Sequence, residues 1–372
     1  MLGASFMCKA HVNAYKQLQY IFWPPPGFVD LVKIIDMTVD LAEEAAGRYG
    51  FNTYGTRWQD IVEDEKILLF DNVGPNHMHA EPCIEAAKTG KAILCEKPLA
   101  RNSEEAFEML EAVKKYNVKN FCGYNYRFVP AIILAKKIID DGKIGKIQHL
   151  RAQYLMDCNE DPESCFHWRL QKSKAGSGVL GDLSHIIDLA RWICGEPGTV
   201  QALTKTFFKD RPLPDNPSKR EKVDVDDAYI AIVEFKNEAI GFLEASKCSR
   251  GRKNYAFMEI NGDSGSLYFN LENLNFLHVY LASDEKERIA GFRAIDVTEN
   301  NHPYMNNWWC QGHIIGWGNI FVHQSYEIVK KLIDDNTASE NIATFEDGFK
   351  ALVICDAIQK ASESGKKQEI KY

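Results

Sequence analysis

The chain has 372 residues, 45% hydrophobic, 26% charged and 11% aromatic, which excludes a disordered polymer and describes a soluble globular protein. Its net charge of −8 argues against nucleic acid or an acidic membrane as main partner. The lack of an eighteen-residue apolar run, a basic leader or a small-residue cleavage site predicts a cytoplasmic protein.

A single core stops growing at ~250–300 residues, so two domains are expected. The chain opens MLGASFMCKAH, which has the form of the turn between the first strand and first helix of a dinucleotide-binding domain. The pattern G-x-G-x-x-G reads here as Gly3, Ser5, Cys8, retaining the glycine of the tight turn and neither of the others. Almost no residues remain for the strand before it. Taken alone, the stretch reads better as an ordinary loop before a helix.

Along the next hundred residues the periodicity alternates. KAHVNAYKQLQ predicts a helix, DLVKIID a buried strand, and VDLAEEAAGRYG a helix closed by Gly50. KILLFDN and KAILCEK predict strands on either side of the helix AEPCIEAAKTG, and the helix SEEAFEMLEAVKKYN, with Ser103 as N-cap, precedes the strand KNFCGYN. Strands and helices in alternation mean a doubly wound parallel sheet, so residues 1–127 are expected to form a Rossmann domain with a truncated first strand. That context favours the nucleotide reading of the opening turn.

From residue 128 the pattern changes. The helix AIILAKKIIDDGK leads to the strand IQHLRAQYLMD, and later strands DDAYIAIVEFKN, AIGFLEASKC, YAFMEINGDSGSLYFN and NFLHVYLAS follow one another through short turns. Residues 128–372 are therefore expected to form an α+β domain with a large, mostly antiparallel sheet. FFKDRPLPDNPSKREK reads as a polar loop. The ten cysteines include no C-x-x-C pair, which predicts reduced thiols, and His77 and His79 lie two apart rather than at the i, i+4 spacing of a helical zinc site, so no metal is expected.

Two stretches carry candidate chemistry. ILCEKPLA places Glu96 and Lys97 at the carboxyl end of a strand, where ligands of doubly wound sheets collect, although a surface Glu–Lys pair is an equal reading. In AGSGVLGDLSHIIDLARWICGEP, Asp182, His185 and Asp188 fall about one turn apart on a predicted helix, as an acid–base pair with an orienting carboxylate requires. A capping aspartate with a buried histidine is the structural alternative.

PNHMHAEP, EKPLA, GYNYRFVPA, GKIGKI, HWR, GDLSHIIDLARW and EINGDSGSLYF, in this order, resemble the Gfo/Idh/MocA family of sugar and cyclitol dehydrogenases over nearly the whole chain. HPYMNNWWCQGHIIGWGNIFVHQ and the helix after it resemble members that oxidise pyranose rings of glucosides. The resemblance implies an NAD-dependent dehydrogenase in which Lys97 hydrogen-bonds the reacting hydroxyl, His185 accepts its proton and Asp182 binds or orients. It implies a cofactor site of Gly3, Ser5, Phe6, Met7, Asp36, Pro75, Asn76, His79, Glu96, Asn125, Trp168 and Arg169. It further implies a substrate site of Lys97, Arg127, Tyr154, Asp157, His185 and His313, with Trp317 as a further candidate and Trp308 and Trp309 as core alternatives. Arg127, Asn125, Trp168 and Arg169 have a packing or interface role as their alternative.

Two departures from the family pattern bear on these expectations. Asp182 and His185 are three apart, where members have D-x-x-x-H; either spacing keeps both on one helical face. The first strand, central in such a sheet, is nearly missing, which predicts a weakened sheet centre and an impaired nucleotide site. The expected function is oxidation of a ring secondary alcohol of a sugar or glycoside at C3, with inositol oxidation or a catalytically silent sugar- or nucleotide-binding relative as alternatives. An interaction scaffold is a weaker one. The expected partners are a small-molecule sugar, glycoside or cyclitol, and a second copy of the chain in a homodimer or homotetramer formed through the second sheet.

Overall fold

The computed structural model describes residues 1–334, 336 and 339–372. Two compact units divide the chain: Met1–Phe128 with Gly316–Phe349, and Val129–Ile315 with Lys350–Tyr372. The elements of the first stretch are α1 (Phe6–Ile21), β1 (Lys33–Ile35), α2 (Val39–Tyr49), β2 (Thr53–Gly55), α3 (Gln59–Val62), β3 (Leu69–Asn72), α4 (Ala80–Lys88), β4 (Ala92–Cys95), α5 (Ser103–Lys115) and β5 (Asn120–Cys122). Then come α6 (Pro130–Asp140), β6 (Ile147–Leu155), α7 (Lys172–Ala175), α8 (Val179–Asp182), α9 (His185–Cys194), β7 (Pro197–Lys205), β8 (Asp210–Leu213) and β9 (Asn216–Lys222). They are followed by β10 (Ala228–Phe235), β11 (Ile240–Ser246), β12 (Tyr255–Gly262), β13 (Gly265–Asn270), β14 (Phe276–Leu281), β15 (Arg293–Asp296), α10 (Trp317–Ile333), α11 (Phe345–Ser364) and β16 (Gln368–Glu369).

In the first unit β1 pairs in parallel with β2, and β4 pairs in parallel with β3 and β5. Leu2 joins the two sets by parallel bridges to Ile35 and Asn72. The N–H groups of Leu2 and Gly3 donate to Asp71 (2.9 Å) and Ile35 (2.8 Å), while Ile35 and Val73 donate to Met1 and Leu2 (both 3.0 Å). The expected gap at the sheet centre is thus corrected. Neighbours as short as β1 and β3 need few ladder bonds, and residues 1–3 make them on both sides.

Thr38 caps α2, which ends on Gly50 in the left-handed region. The cap of α5 is Asn102, whose side chain accepts the Glu105 N–H, rather than Ser103; the side chain that reaches the third amide lies one residue earlier. The unit closes with α10, which packs along α1: Phe6 stacks on Trp317 (5.4 Å, 18°) and Phe22 on Tyr326 (3.9 Å, 15°). The Cys122 N–H donates to Ala343 O (2.8 Å) and Arg127 pairs with Asp347 (3.0 Å). The expectation of one contiguous second domain from residue 128 therefore misses the return of 316–349, which covers apolar side chains of α1.

In the second unit, described residues form a nine-stranded sheet of order β15-β14-β13-β12-β6-β11-β10-β7-β16. Its pairs are antiparallel except β6–β11, which are parallel. Strict alternation sets its faces: in β10, Tyr229, Ala231, Val233 and Phe235 are buried and Ile230 and Ile232 exposed. The helices α6 and α9 lie on the sheet.

Two expectations are corrected here. The segment read as a polar loop contains the hairpin β8–β9, with Asp210 opposite Lys222 and Arg211 opposite Glu221. It is held by Arg220, which pairs with Asp210 (2.5 Å) and Glu163 (3.2 Å), and by Leu213 on the cluster Phe166, Leu170, Val223 and Val225. Asp182 and His185 do not share one continuous helix. Asp182 ends α8 and His185 begins α9: Asp226 accepts the N–H groups of Gly178 (2.7 Å) and Leu180 (2.9 Å) at the start of α8, and Leu183, at φ −104° and ψ 22°, leaves the helical conformation between the two helices. No helix among the described residues is long and apolar enough to cross a membrane.

Candidate active site

In the first unit the opening turn has the conformation a nucleotide needs. Gly3 has φ +97°, and a Cβ there would stand 3.0 Å from Gly74 Cα and Val73 O, so any other residue would be strained and crowded against the backbone. Ser5 is the N-cap of α1 without a side-chain cap bond, leaving the first-turn amides of this sixteen-residue helix to an anion. Phe6 and Met7 open that helix, Phe6 being 66% exposed and stacked on Trp317. Cys8, where the pattern has its third glycine, is fully buried, and burial pushes its thiol up to about 12. A small neutral side chain thus packs α1 on the strands.

Asp36 follows β1. Its Oδ2 accepts the Ala4 N–H and its Oδ1 the Met37 N–H, both at 2.6 Å, so the carboxylate is fixed beside the turn. After β3 come Pro75, Asn76 and His79. His79 is buried, with Nε2 3.0 Å from Gly74 O and Nδ1 3.0 Å from Pro98 O. Burial lowers its pKa, and the ring, with a carbonyl at each nitrogen, braces the two loops against each other.

Glu96 and Lys97 follow β4. Glu96 is buried: one oxygen is 3.1 Å from His11 Nε2 and the other accepts the Lys97 N–H at 3.1 Å. The alternative of a surface Glu96–Lys97 ion pair is thereby corrected, since the buried carboxylate takes its charge partner from α1. Asn125 and Arg127 occupy a buried 3₁₀ turn. Asn125 Nδ2 has no hydrogen-bond partner among the described residues, as a donor meant for a bound cofactor would. Arg127 is engaged by Asp347.

In the second unit His185 opens α9, and its ring lies 6.4 Å from that of Tyr154, whose hydroxyl donates to Asn254 (2.7 Å). Asp182 forms a close ion pair with Lys247. The Arg169 guanidinium stacks over the Trp168 ring at 4.3 Å. Asp157 accepts from Lys253 (2.5 Å) and the Gly251 N–H (3.2 Å), and the Lys253 hydrogen bond lowers its pKa. His313 is exposed, with Nδ1 2.8 Å from Cys310 O. Trp317 lies in the first unit, at the start of α10. Sequence reasoning missed His11, Asp71 and Lys247; the sole local signal was His11 and Tyr15 one turn apart on α1.

The glycine turn, the uncapped helix start, the carboxylate after β1 and the orphaned Asn125 amide fit NAD, whose pyrophosphate the α1 amides and whose ribose hydroxyls Asp36 would hold. The family model "Oxidoreductase family, NAD-binding Rossmann fold" matches residues 1–124, and "GFO/IDH/MocA C-terminal domain" matches residues 132–268. A levoglucosan dehydrogenase of Pseudarthrobacter phenanthrenivorans is 39% identical over 97% of this chain and 95% of its own. A glucose-6-phosphate 3-dehydrogenase of Bacillus subtilis is 24% identical over 94% of this chain and 92% of its own. A solved levoglucosan dehydrogenase in complex with NADH and levoglucosan superposes with a TM-score of 0.94 at 39% identity, covering 100% of this chain and 98% of that one. The chain therefore belongs to the Gfo/Idh/MocA family of NAD-dependent oxidoreductases.

Proposed function

We propose that the protein oxidises a ring secondary alcohol of a pyranose, in a glycoside or anhydrosugar such as levoglucosan, at C3. The observation that carries this reading is the end-to-end similarity to levoglucosan dehydrogenase, together with Lys97 and His185 at the motif positions. The similarity to a glucose-6-phosphate 3-dehydrogenase supports the position of oxidation. A rigid ring also fixes the carbinol C–H better than an open chain does.

Bound NAD⁺ supplies the hydride acceptor. The Lys97 ammonium hydrogen-bonds the reacting oxygen and favours its developing negative charge. The imidazole of His185 takes the hydroxyl proton as the C–H bond breaks, so the products are a ketone, NADH and an imidazolium that returns its proton to water. The Tyr154 ring flanks the His185 ring, and Lys247 holds Asp182 close to the sugar-binding end of α9. Trp168, Arg169, Asp157 and His313 are proposed cofactor and sugar contacts. Arg127 acts through its pair with Asp347.

The exposed sheet residues Leu203, Ile230, Ile232 and Ile240 support a homodimer or homotetramer formed through this sheet. The enzymatic reading is tested by NADH formation with levoglucosan, glucosides, glucose, inositols and linear polyols. Turnover of inositols or polyols alone would defeat the pyranose assignment.

A further inference from the structure

We propose that His11 is a positioning residue of the reaction: its ring ties α1 to the carboxyl ends of β3 and β4 and holds Glu96 in the one orientation that receives the Lys97 N–H. This rests on the reading of Lys97 as the residue at the reacting hydroxyl. His11 is 2% exposed. Its Nδ1 lies 3.1 and 3.0 Å from the two oxygens of Asp71, and its Nε2 lies 3.1 Å from Glu96 Oε1. Carboxylates only accept, so both ring nitrogens can be satisfied together only when both carry protons. The ring is therefore an imidazolium. Burial pulls its pKa down, but Asp71 and Glu96 outweigh that and raise it to about 10.

The groups around the ring leave little else for it to do. From α1 itself, Tyr15 donates its hydroxyl to Asp71 Oδ2 at 2.7 Å, and its phenol is pushed well up by burial and then by Asp71. From α10, the neutral ring of Phe321 packs 5.7 Å away. One cation thus serves two buried carboxylates, and each carboxylate has a second task. Asp71 takes the tyrosine. Glu96 turns its other oxygen to the Lys97 amide at 3.1 Å.

Glu96 is also confined from behind. A Cβ at Gly123 would come within 2.5 Å of Oε1, so the carboxylate fills the space beside β5 and has no second seat there. Without the imidazolium, a buried carboxylate is left without its charge partner, and the nearest cation along the chain is Lys97 itself. Glu96 would then compete with substrate for the Lys97 ammonium. The His11 charge prevents that competition while fixing the backbone from which Lys97 projects.

The test uses the full chain, with NAD⁺ for turnover and NADH for binding, and the variants His11→Gln, Glu96→Gln and His11→Gln/Glu96→Gln. Glutamine keeps a hydrogen-bonding side chain at position 11 but no charge. If His11 positions Lys97, H11Q lowers kcat by about 10²-fold, the scale of a small displacement remote from the chemistry. Its NADH affinity and sugar KM change far less, and amide exchange at Lys97 accelerates ahead of the rest of the sheet. The double variant then regains part of the lost kcat, because E96Q removes the carboxylate charge that H11Q leaves unpaired. Unchanged kcat with unchanged Lys97 exchange overturns the proposal. So does a loss matched by failed NADH binding and a uniform rise in exchange, which marks a purely structural role. If the wild-type protein oxidises no sugar, the functional reading falls, and Lys97 amide exchange alone decides the role of His11.

Discussion

Lys247 in the second unit forms a close ion pair with Asp182, the last residue of α8, three residues before His185. Both side chains are mostly buried, at 11% and 20% exposure. Lys247→Met should therefore remove the ion-pair partner of a partly buried carboxylate and cost about 1–3 kcal/mol of stability. Adding Asp182→Asn should recover part of the loss. Denaturant unfolding of the two single variants and the double variant measures the coupling. Additive losses would contradict it.

The two proposed catalytic groups are expected to matter for rate and little for folding. Lys97→Ala and His185→Ala should each lower turnover by ~10²–10⁴-fold, the usual contribution of an acid or base group. Melting temperatures should stay close to wild type. Near-wild-type turnover at saturating sugar in either variant removes that residue from the mechanism.

The carboxylate of Asp36, anchored by the N–H groups of Ala4 and Met37 at 2.6 Å, is expected to select NAD over NADP. A carboxylate there would accept from ribose hydroxyls and repel a 2′-phosphate. Neither Met37 nor Thr38 offers a cation to neutralise that phosphate. Asp36→Ala should weaken NAD binding by about tenfold, the worth of a hydrogen bond to a charged group, while improving the relative affinity for NADP. Calorimetric titration with both cofactors reads the ratio.

Two buried histidines of the first unit should tilt stability in opposite pH ranges. His323 has Nδ1 3.0 Å from Phe128 O, and burial lowers its pKa from 6.5 to about 4. The unfolded chain takes up that proton first, so His323 costs stability progressively as pH falls from 6.5 toward 4. His11 is raised from 6.5 to about 10, so its contribution is complete below 6.5 and is lost as pH rises through 10. Urea midpoints across this range should fall at both ends. H323Q should flatten the acid limb and H11Q the alkaline one.

The strand–helix alternation before residue 128 is legible in the sequence because each segment carries its own period, bounded by residues such as Gly50. The antiparallel sheet is legible for the same reason, since β10 alternates buried and exposed residues. The hairpin β8–β9 is not, because charges hide its alternation and it is held by Arg220 reaching Glu163, well outside it. Nor is the return of α10 to α1, which depends on side chains three hundred residues apart in the chain. In sequence His11 is an ordinary helical residue. Its partners lie 60 and 85 residues away, and no local pattern announces them.

The most direct measurement of the central claim is oxidation of levoglucosan by the purified protein with NAD⁺, followed by NADH absorbance and by carbon NMR of the product. The account predicts stoichiometric NADH and a single new ketone at C3, with levoglucosan or a glucoside turned over faster than any inositol or linear polyol. Absence of NADH formation with every pyranose, despite tight NADH binding, would contradict it.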